Sequence, residues 1–344
     1  MKIVFFGTPE FAVPSLDRLV ADGHDIAAVV TMPDKIAGRG HKLIQSDIKK
    51  YAVEHGLKVM QPEKLKNPEF LSELQSLQAD LFVVIAFRML PEAVWAMPPK
   101  GTFNLHAALL PKYRGAAPIN RAIMNGETET GVTTFFLNHD IDTGSIIDQQ
   151  RIDILPEDNV GTVYDRLMVL GADMVSKTVR DIENGCVKPL PQPEGEFIPA
   201  PKIFKEDMAI HWDRPAAQIH NQVRGLSPYP AAYSALELLN HAPMDVKIYT
   251  TALTDEPSTG SKPNTDSENS TGSEDNTGSE DNTGSEYSTG IVPGDVRIEK
   301  KRLLVATSDR WLEIVELQPA GKKRMAASAF LLGYTPLRFK APAL

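Results

Sequence analysis

Asn104 and His106 stand two residues apart in the run GTFNLH, which reads as a strand followed by a loop rich in Gly and Pro. Alternate residues of a strand share a face. The amide and the imidazole therefore project together, while Leu105 turns the other way into the core. A carboxamide N–H and a protonated imidazole N–H on one face can stabilise a developing oxyanion. A lone histidine is more often a hydrogen-bonded core residue. Three features favour a chemical role here: Asn104 shares its face, a loop follows, and that loop carries the constrained run Leu110-Pro111-Lys112-Tyr113-Arg114-Gly115. Loops after parallel strands are where α/β sheets place ligands.

A second candidate lies in NHDIDTGSII, where Asp140 and Asp142 flank Ile141 ahead of a Thr143-Gly144 turn. A calcium or magnesium site needs further oxygen ligands, and too few stand nearby in sequence. No metal is expected. The two acids could simply make Asx turns. Alternatively, Asp142 accepts a hydrogen bond from His106 and favours its charged form. Near the N-terminus, FFGTPEF places one glycine after a strand but lacks the second and third glycines of a dinucleotide fingerprint. A nicotinamide or flavin enzyme is therefore not expected. The single cysteine, Cys186, excludes an internal disulfide and a thiolate metal site, which suits a reducing compartment.

These residues need a frame. Strand-like runs (KIVFFG, DIAAVVT, LKVMQ, ADLFVVIAF, GTFNLH) alternate with helical patterns over residues 9–22, 46–55 and 68–77. That alternation predicts a Rossmann-like, mostly parallel sheet covered by helices on both faces. GVTTFFLN and SIIDQQRIDI are further strand candidates, and residues 161–184 form a long helical pattern. The proline-rich PLPQPEGEFIPAPK reads as a linker. Beyond it come a short helix over residues 215–224 and the strand-like runs AAYSALEL, DVKIYTTAL, RLLVATS and WLEIVELQ. They predict a smaller β-barrel resembling an OB-fold. The expected divisions are a catalytic domain over 1–188, a linker over 189–206 and a C-terminal domain over 207–344.

The segment 254–290 differs in kind. TGSEDN repeats nearly in tandem there, almost without apolar residues, so the segment is expected as a disordered acidic insert. An acidic partner-binding segment is the alternative. Nine acids and one lysine fall between residues 255 and 286, a net of −8 out of the chain's −9, so the remainder is nearly neutral. Basic patches on that remainder are compatible with nucleic-acid binding. The opening MKIVFFGTPEF is broken too early for a signal peptide, and the apolar run over residues 81–87 is far too short to span a bilayer. A cytoplasmic location away from membranes is expected.

Taken together, FFGTPEFAVPSL, FNLHAALLPKYRGAAPINRAI, IDTG, RGLSPYPAAY and ELQPAGKKRM resemble the 10-formyltetrahydrofolate-dependent transferases over nearly the whole chain apart from the insert. The loop PDKIAGRGHKL and the C-terminal pieces are more particular to those members that act on methionyl-tRNA. The resemblance implies transfer of a formyl group from 10-formyltetrahydrofolate to the α-amino group of methionine on initiator tRNA. It assigns Asn104, His106 and Asp142 as the catalytic trio, with no metal. It places folate against Arg88, Leu90, Ala108, Leu109, Leu110, Pro111, His139, Asp140 and Ile141. It gives tRNA the loop residues Lys35, Arg39, His41 and Lys42, on a flexible basic loop without an apolar face. Lys322, Lys323 and Arg324 are expected to reach its backbone. A monomer is expected. Two positions depart from the family pattern: Ala108 stands where Ser is usual, and Arg88 where Gly is common. The same trio would also serve a sugar-nucleotide formyltransferase or a formyltetrahydrofolate hydrolase. An RNA-binding module without chemistry would leave the trio unexplained.

Overall fold

The computed structural model describes residues 1–37, 42–193, 197–258 and 290–342, which fall into two compact units. One is Met1–Phe204 with Arg224–Tyr229; the other is Lys205–Val223 with Pro230–Leu344.

In chain order the strands of the first unit are β1 (Lys2–Gly7), β2 (Asp25–Val30), β3 (Lys35–Ala37), β4 (Lys42–Ile44), β5 (Val59–Met60), β6 (Leu81–Ile85), β7 (Thr102–His106), β8 (Arg114–Gly115), β9 (Glu129–Phe136), β10 (Ile146–Asp153) and β11 (Pro199–Ala200). Seven form one sheet in the order β10-β9-β7-β6-β1-β2-β5. From β5 to β7 neighbours are parallel, and β9 then runs antiparallel to both β7 and β10. The chain moves outward from β1 through β2 to β5, then resumes on the far side of β1 with β6 and β7. The order thus reverses between β1 and β6, and open α/β sheets bind ligands beyond the C-terminal ends of their strands at such a point.

The helices are α1 (Val13–Ala21), α2 (Asp47–Glu54), α3 (Pro68–Ser76), α4 (Glu92–Trp95), α5 (Pro118–Met124) and α6 (Val160–Glu183). Period-two alternation decides the layering. Ile3 and Phe5 of β1 pack with Leu16 and Leu19 of α1 and Val163, Leu167 and Val175 of α6. Val4 and Phe6 face the other way, toward Phe70 and Leu74 of α3 and Val94 of α4. Helix α6 starts at a capping box formed by Asn159 and Thr162. Its Gly171 lets it lie close against β7, since a Cβ there would come within 2.7 Å of Leu105 Cδ2. Leu105 is thereby seated in the core and β7 is fixed from behind.

Three expectations change. Residues 33–43 are not a plain loop: β3 and β4 pair as an antiparallel hairpin, and Leu43 and Ile44 are exposed apolar residues on it. Its root is tied by Asp34, which takes Lys49 of α2 at 2.6 Å and the Gln61 amide at 2.8 Å. Arg39 and His41 lie outside the described residues. The proline-rich stretch expected as a linker is docked on the first unit as far as Phe204. Its β11 pairs with β8, and Leu190 bridges Ile146. Each of these pairings involves only one or two residues, which leaves no periodic signal.

In the second unit, α7 (Lys205–Met208) and most of α8 (Ala216–Leu226, whose last three residues fall in the first unit) precede β12 (Ala232–Leu238), β13 (His241–Pro257), β14 (Val296–Glu299), β15 (Arg302–Ala306), β16 (Arg310–Pro319), β17 (Met325–Ala326), α9 (Ala327–Phe330) and β18 (Pro336–Lys340). The sheet runs β14-β15-β16-β13-β12-β18 and is antiparallel throughout, with β17 on β16. The Phe339 N–H donates to the Gly294 carbonyl at 2.8 Å, and Asp295 bridges Arg338, which brings the two edges together into a nearly closed barrel. Strand β13 extends through Pro257, opposite Arg310, and Ser258 is buried with its hydroxyl donating to the Thr307 carbonyl at 2.7 Å. Residues 254–258 therefore belong to the barrel and not to the insert, whose residues 259–289 lie outside the described part. The polar composition of residues 254–258 hid this, because their backbone pairs while most of the side chains face water.

Candidate active site

A cavity of about 660 Å³ opens beyond the C-terminal ends of β1, β6 and β7. Pro9 and Phe11 line it from just after β1, Val84 from β6 and residues 86–90 from the loop after it, and Asn104 and His106 from β7. Asp140, Ile141 and Asp142 close another side, and the start of α5 contributes Pro118 and Asn120. Asn104, His106 and Asp142 thus meet in one hollow although Asp142 is 36 residues beyond His106 in sequence.

The imidazole of His106 is buried. Its Nε2 lies 2.8 Å from the Tyr113 carbonyl and must carry the proton in that bond, since a carbonyl only accepts. Nδ1 faces Asp142 Oδ2 at 3.9 Å, an ion-pair distance too long for a hydrogen bond. The direct bond expected from the sequence is therefore open in this structure. Both ring nitrogens thus face oxygen atoms, Nε2 within hydrogen-bonding distance and Nδ1 beyond it.

Asp142 is held from several directions. Its φ is +55°, a left-handed conformation that aspartate tolerates better than most residues. Oδ2 accepts the Gly115 N–H at 2.9 Å, and its backbone carbonyl accepts the Gln192 amide at 2.8 Å. Gly115 has no substitute: its φ is +127°, and a Cβ would approach the Ala200 carbonyl oxygen to 2.5 Å. The Gln192 amide also reaches the Gly144 carbonyl at 2.9 Å, while its Oε1 accepts from the Arg114 guanidinium. Neither Gly115 nor Gln192 stood out in the sequence. The Arg-Gly pair of the constrained run hinted at the first, and nothing local marked the second.

Among the expected folate residues, Arg88, Leu90, Asp140 and Ile141 line the cavity. The Arg88 guanidinium is anchored on the Pro62 and Glu63 carbonyls, the latter at 2.8 Å. Ala108, Leu109, Leu110 and Pro111 are not in its lining. The Ala108 carbonyl accepts from Thr133 Oγ1 at 2.6 Å, and the Leu110 carbonyl accepts from Gln149 at 2.8 Å. These bonds hold the segment down on β9 and β10, with Ala108 and Leu110 buried. The missing hydroxyl at position 108 is therefore not a gap in the wall. The His139 side chain is 70% exposed and is not in the lining; it packs edge-on against Trp95, which is. Of the expected tRNA residues, Lys35, Lys322, Lys323 and Arg324 are exposed, and Arg324 also stacks on Tyr249 at 4.3 Å and pairs with Glu316. Among the described residues no group of three His, Cys, Asp or Glu side chains could hold a metal ion, and no helix is long and apolar enough to cross a membrane.

This fold and this hollow define a class. Residues 1–179 match the formyl transferase family and residues 202–335 match the formyl transferase C-terminal domain, so the chain belongs to the formyl transferase family. Within it, the chain is 46% identical over 339 residues to a methionyl-tRNA formyltransferase of Bacteroides fragilis, covering 97% of this chain and 95% of that one. A methionyl-tRNA formyltransferase of Phocaeicola vulgatus is 49% identical over 341 residues, covering 97% and 96%. The fold is shared with an N-formyltransferase from Helicobacter canadensis, solved in complex with folinic acid and dTDP-3-aminofucose. Its TM-score is 0.60 at 20% identity, covering 93% of this chain and 99% of that one.

Proposed function

We propose that this protein transfers the formyl group of 10-formyltetrahydrofolate to the α-amino group of methionine carried on initiator tRNA. The observation that carries the reading is the meeting of Asn104, His106 and Asp142 in one hollow at the strand-order reversal. The near full-length relationship to methionyl-tRNA formyltransferases, through both units, selects the acceptor.

The reaction needs three services. The amine nitrogen bonds to the formyl carbon, and negative charge gathers on the formyl oxygen. The Asn104 carboxamide and the His106 imidazolium supply hydrogen-bond donors and positive charge to that oxygen. With Nε2 engaged by Tyr113, it is Nδ1 that serves, on the side facing Asp142. The carboxylate of Asp142 balances the imidazolium and relays the proton that the attacking amine loses toward folate N10. The bond from the formyl carbon to N10 then breaks, N10 takes that proton, and tetrahydrofolate leaves. Folate lies against Arg88, Leu90, Asp140 and Ile141. Lys35 and Lys42 of β3 and β4, with Arg39 and His41 between them in sequence, and Lys322 and Lys323 on the barrel meet the tRNA. Their charges suit phosphate contact, which orients but does not read sequence.

The test is a competition among acceptors. The purified chain is given 10-formyltetrahydrofolate with charged initiator tRNA, a sugar-nucleotide amine and water. Formyl appearing on methionyl-tRNA supports the reading; formylated sugar or released formate as the dominant product refutes it.

A further inference from the structure

Gln192 and Ile198 bond the two residues whose oxygens face the His106 ring, Asp142 and Tyr113. The Tyr113 N–H donates to the Ile198 carbonyl at 2.6 Å, which holds the residue whose carbonyl meets His106 Nε2. On the other side, the Gln192 amide donates to the Asp142 and Gly144 carbonyls at 2.8 and 2.9 Å. Those carbonyls follow directly on the left-handed backbone of Asp142, from which its carboxylate projects. Gly144 admits no side chain, since a Cβ there would stand 1.6 Å from the Phe136 carbonyl oxygen. Gln192 is itself fixed, its Oε1 accepting from Nε of Arg114 at 3.1 Å, and the Arg114 guanidinium lies 5.3 Å over the Phe197 ring. The adjoining β8–β11 pairing and the Ala117 N–H on the Ala200 carbonyl hold the same segment in place independently.

We infer that Gln192, braced by Arg114, is a positioning residue: it sets the Asp142 carboxylate opposite His106 by holding the carbonyls of residues 142 and 144. This deepens the reading of His106 and Asp142 as a working pair and rests on it. A carboxamide is suited to the task because one end accepts from Arg114 while the other donates to two carbonyls. Glutamate keeps the first function and strengthens it, but it cannot donate and would face the two carbonyls with like-signed oxygens.

Gln192→Glu therefore separates positioning from docking. The Arg114 bond, β8–β11 and the Tyr113 and Ala117 bonds remain, so the melting temperature stays near that of the parent. Amide exchange of Gly115, whose N–H is bonded to Asp142 Oδ2, is expected to speed up about tenfold, while Tyr113 and Ala117 keep their protection. With charged tRNA and 10-formyltetrahydrofolate, kcat is expected to fall by about ten- to a hundredfold with both KM values near parental, since misplacing a catalytic group by about 1 Å costs on that order. Gln192→Met, which fills the space without donating, should show the same split between kcat and KM. Unchanged Gly115 exchange, or unchanged kcat in Gln192→Glu, overturns the inference. Activity lost only in proportion to lost folded protein also overturns it. If the parent fails to formylate methionyl-tRNA, the functional reading falls, whereas the exchange experiment still decides whether Gln192 sets Asp142.

Discussion

At the scale of single residues, the site is a set of oxygen and nitrogen atoms whose neighbours leave them little freedom. Asn104→Ala removes a donor to the developing oxyanion. Loss of one such donor costs about 10²–10³ in kcat, and folate binding should be nearly unaffected; steady-state kinetics with tRNA held saturating checks both. Gly115→Ala is expected to be worse for the fold than for any interaction with substrate. It forces an L side chain to φ +127° and into the Ala200 carbonyl, so a loss of stability of about 1–3 kcal/mol or more is expected in denaturant unfolding. Strand alternation in the sequence put Asn104 and His106 on one face, and the structure brings both into one cavity with Asp142. Their environment was not legible. Gln192 makes its hydrogen bonds across about 50 residues of chain, where no spacing rule reaches. Ala108 to Pro111 sit next to the motif in sequence, yet Thr133 and Gln149 turn them into the sheet.

At the scale of elements, the hairpin β3–β4 depends on one partly covered aspartate. Hydrogen bonds from Lys49 and then Gln61 hold the Asp34 carboxyl below the usual carboxylate range. A group whose folded pKa is depressed stabilises the fold above its unfolded pKa, and that contribution fades as pH falls through the folded value. The hairpin root should therefore stay tied at neutral pH and loosen only below the ordinary carboxylate range. Asp34→Asn should remove this dependence, as followed by amide exchange across Lys35–Ala37 and Lys42–Ile44. The same substitution is expected to raise the KM for tRNA while leaving that for folate unchanged. Long periodic elements such as α6 and β1 were evident from sequence. This hairpin was not, because three-residue strands carry too few alternations to be distinguished from a basic loop.

At the scale of the whole molecule, two units share one chain and one reaction. The first carries the hollow, and the barrel carries Lys322 and Lys323 in the open. If those lysines meet phosphates, replacing both with alanine should weaken tRNA binding uniformly across sequences. It should also lower the slope of log affinity against log salt by about 1 for each phosphate no longer neutralised. Removing residues 260–288 should leave formylation intact, provided that Ser258 is kept to close the barrel; an increased KM for tRNA would reveal a role for the acidic repeats. The central claim, however, is that His106 and Asp142 carry the formyl transfer, and Asp142→Asn tests it most directly. The carboxamide can still accept from Gly115 but no longer balances an imidazolium or relays a proton. In single-turnover transfer from 10-formyltetrahydrofolate to methionyl-tRNA, the rate should fall by about 10²–10⁴ with tRNA affinity unchanged. A rate equal to that of the parent would contradict the account.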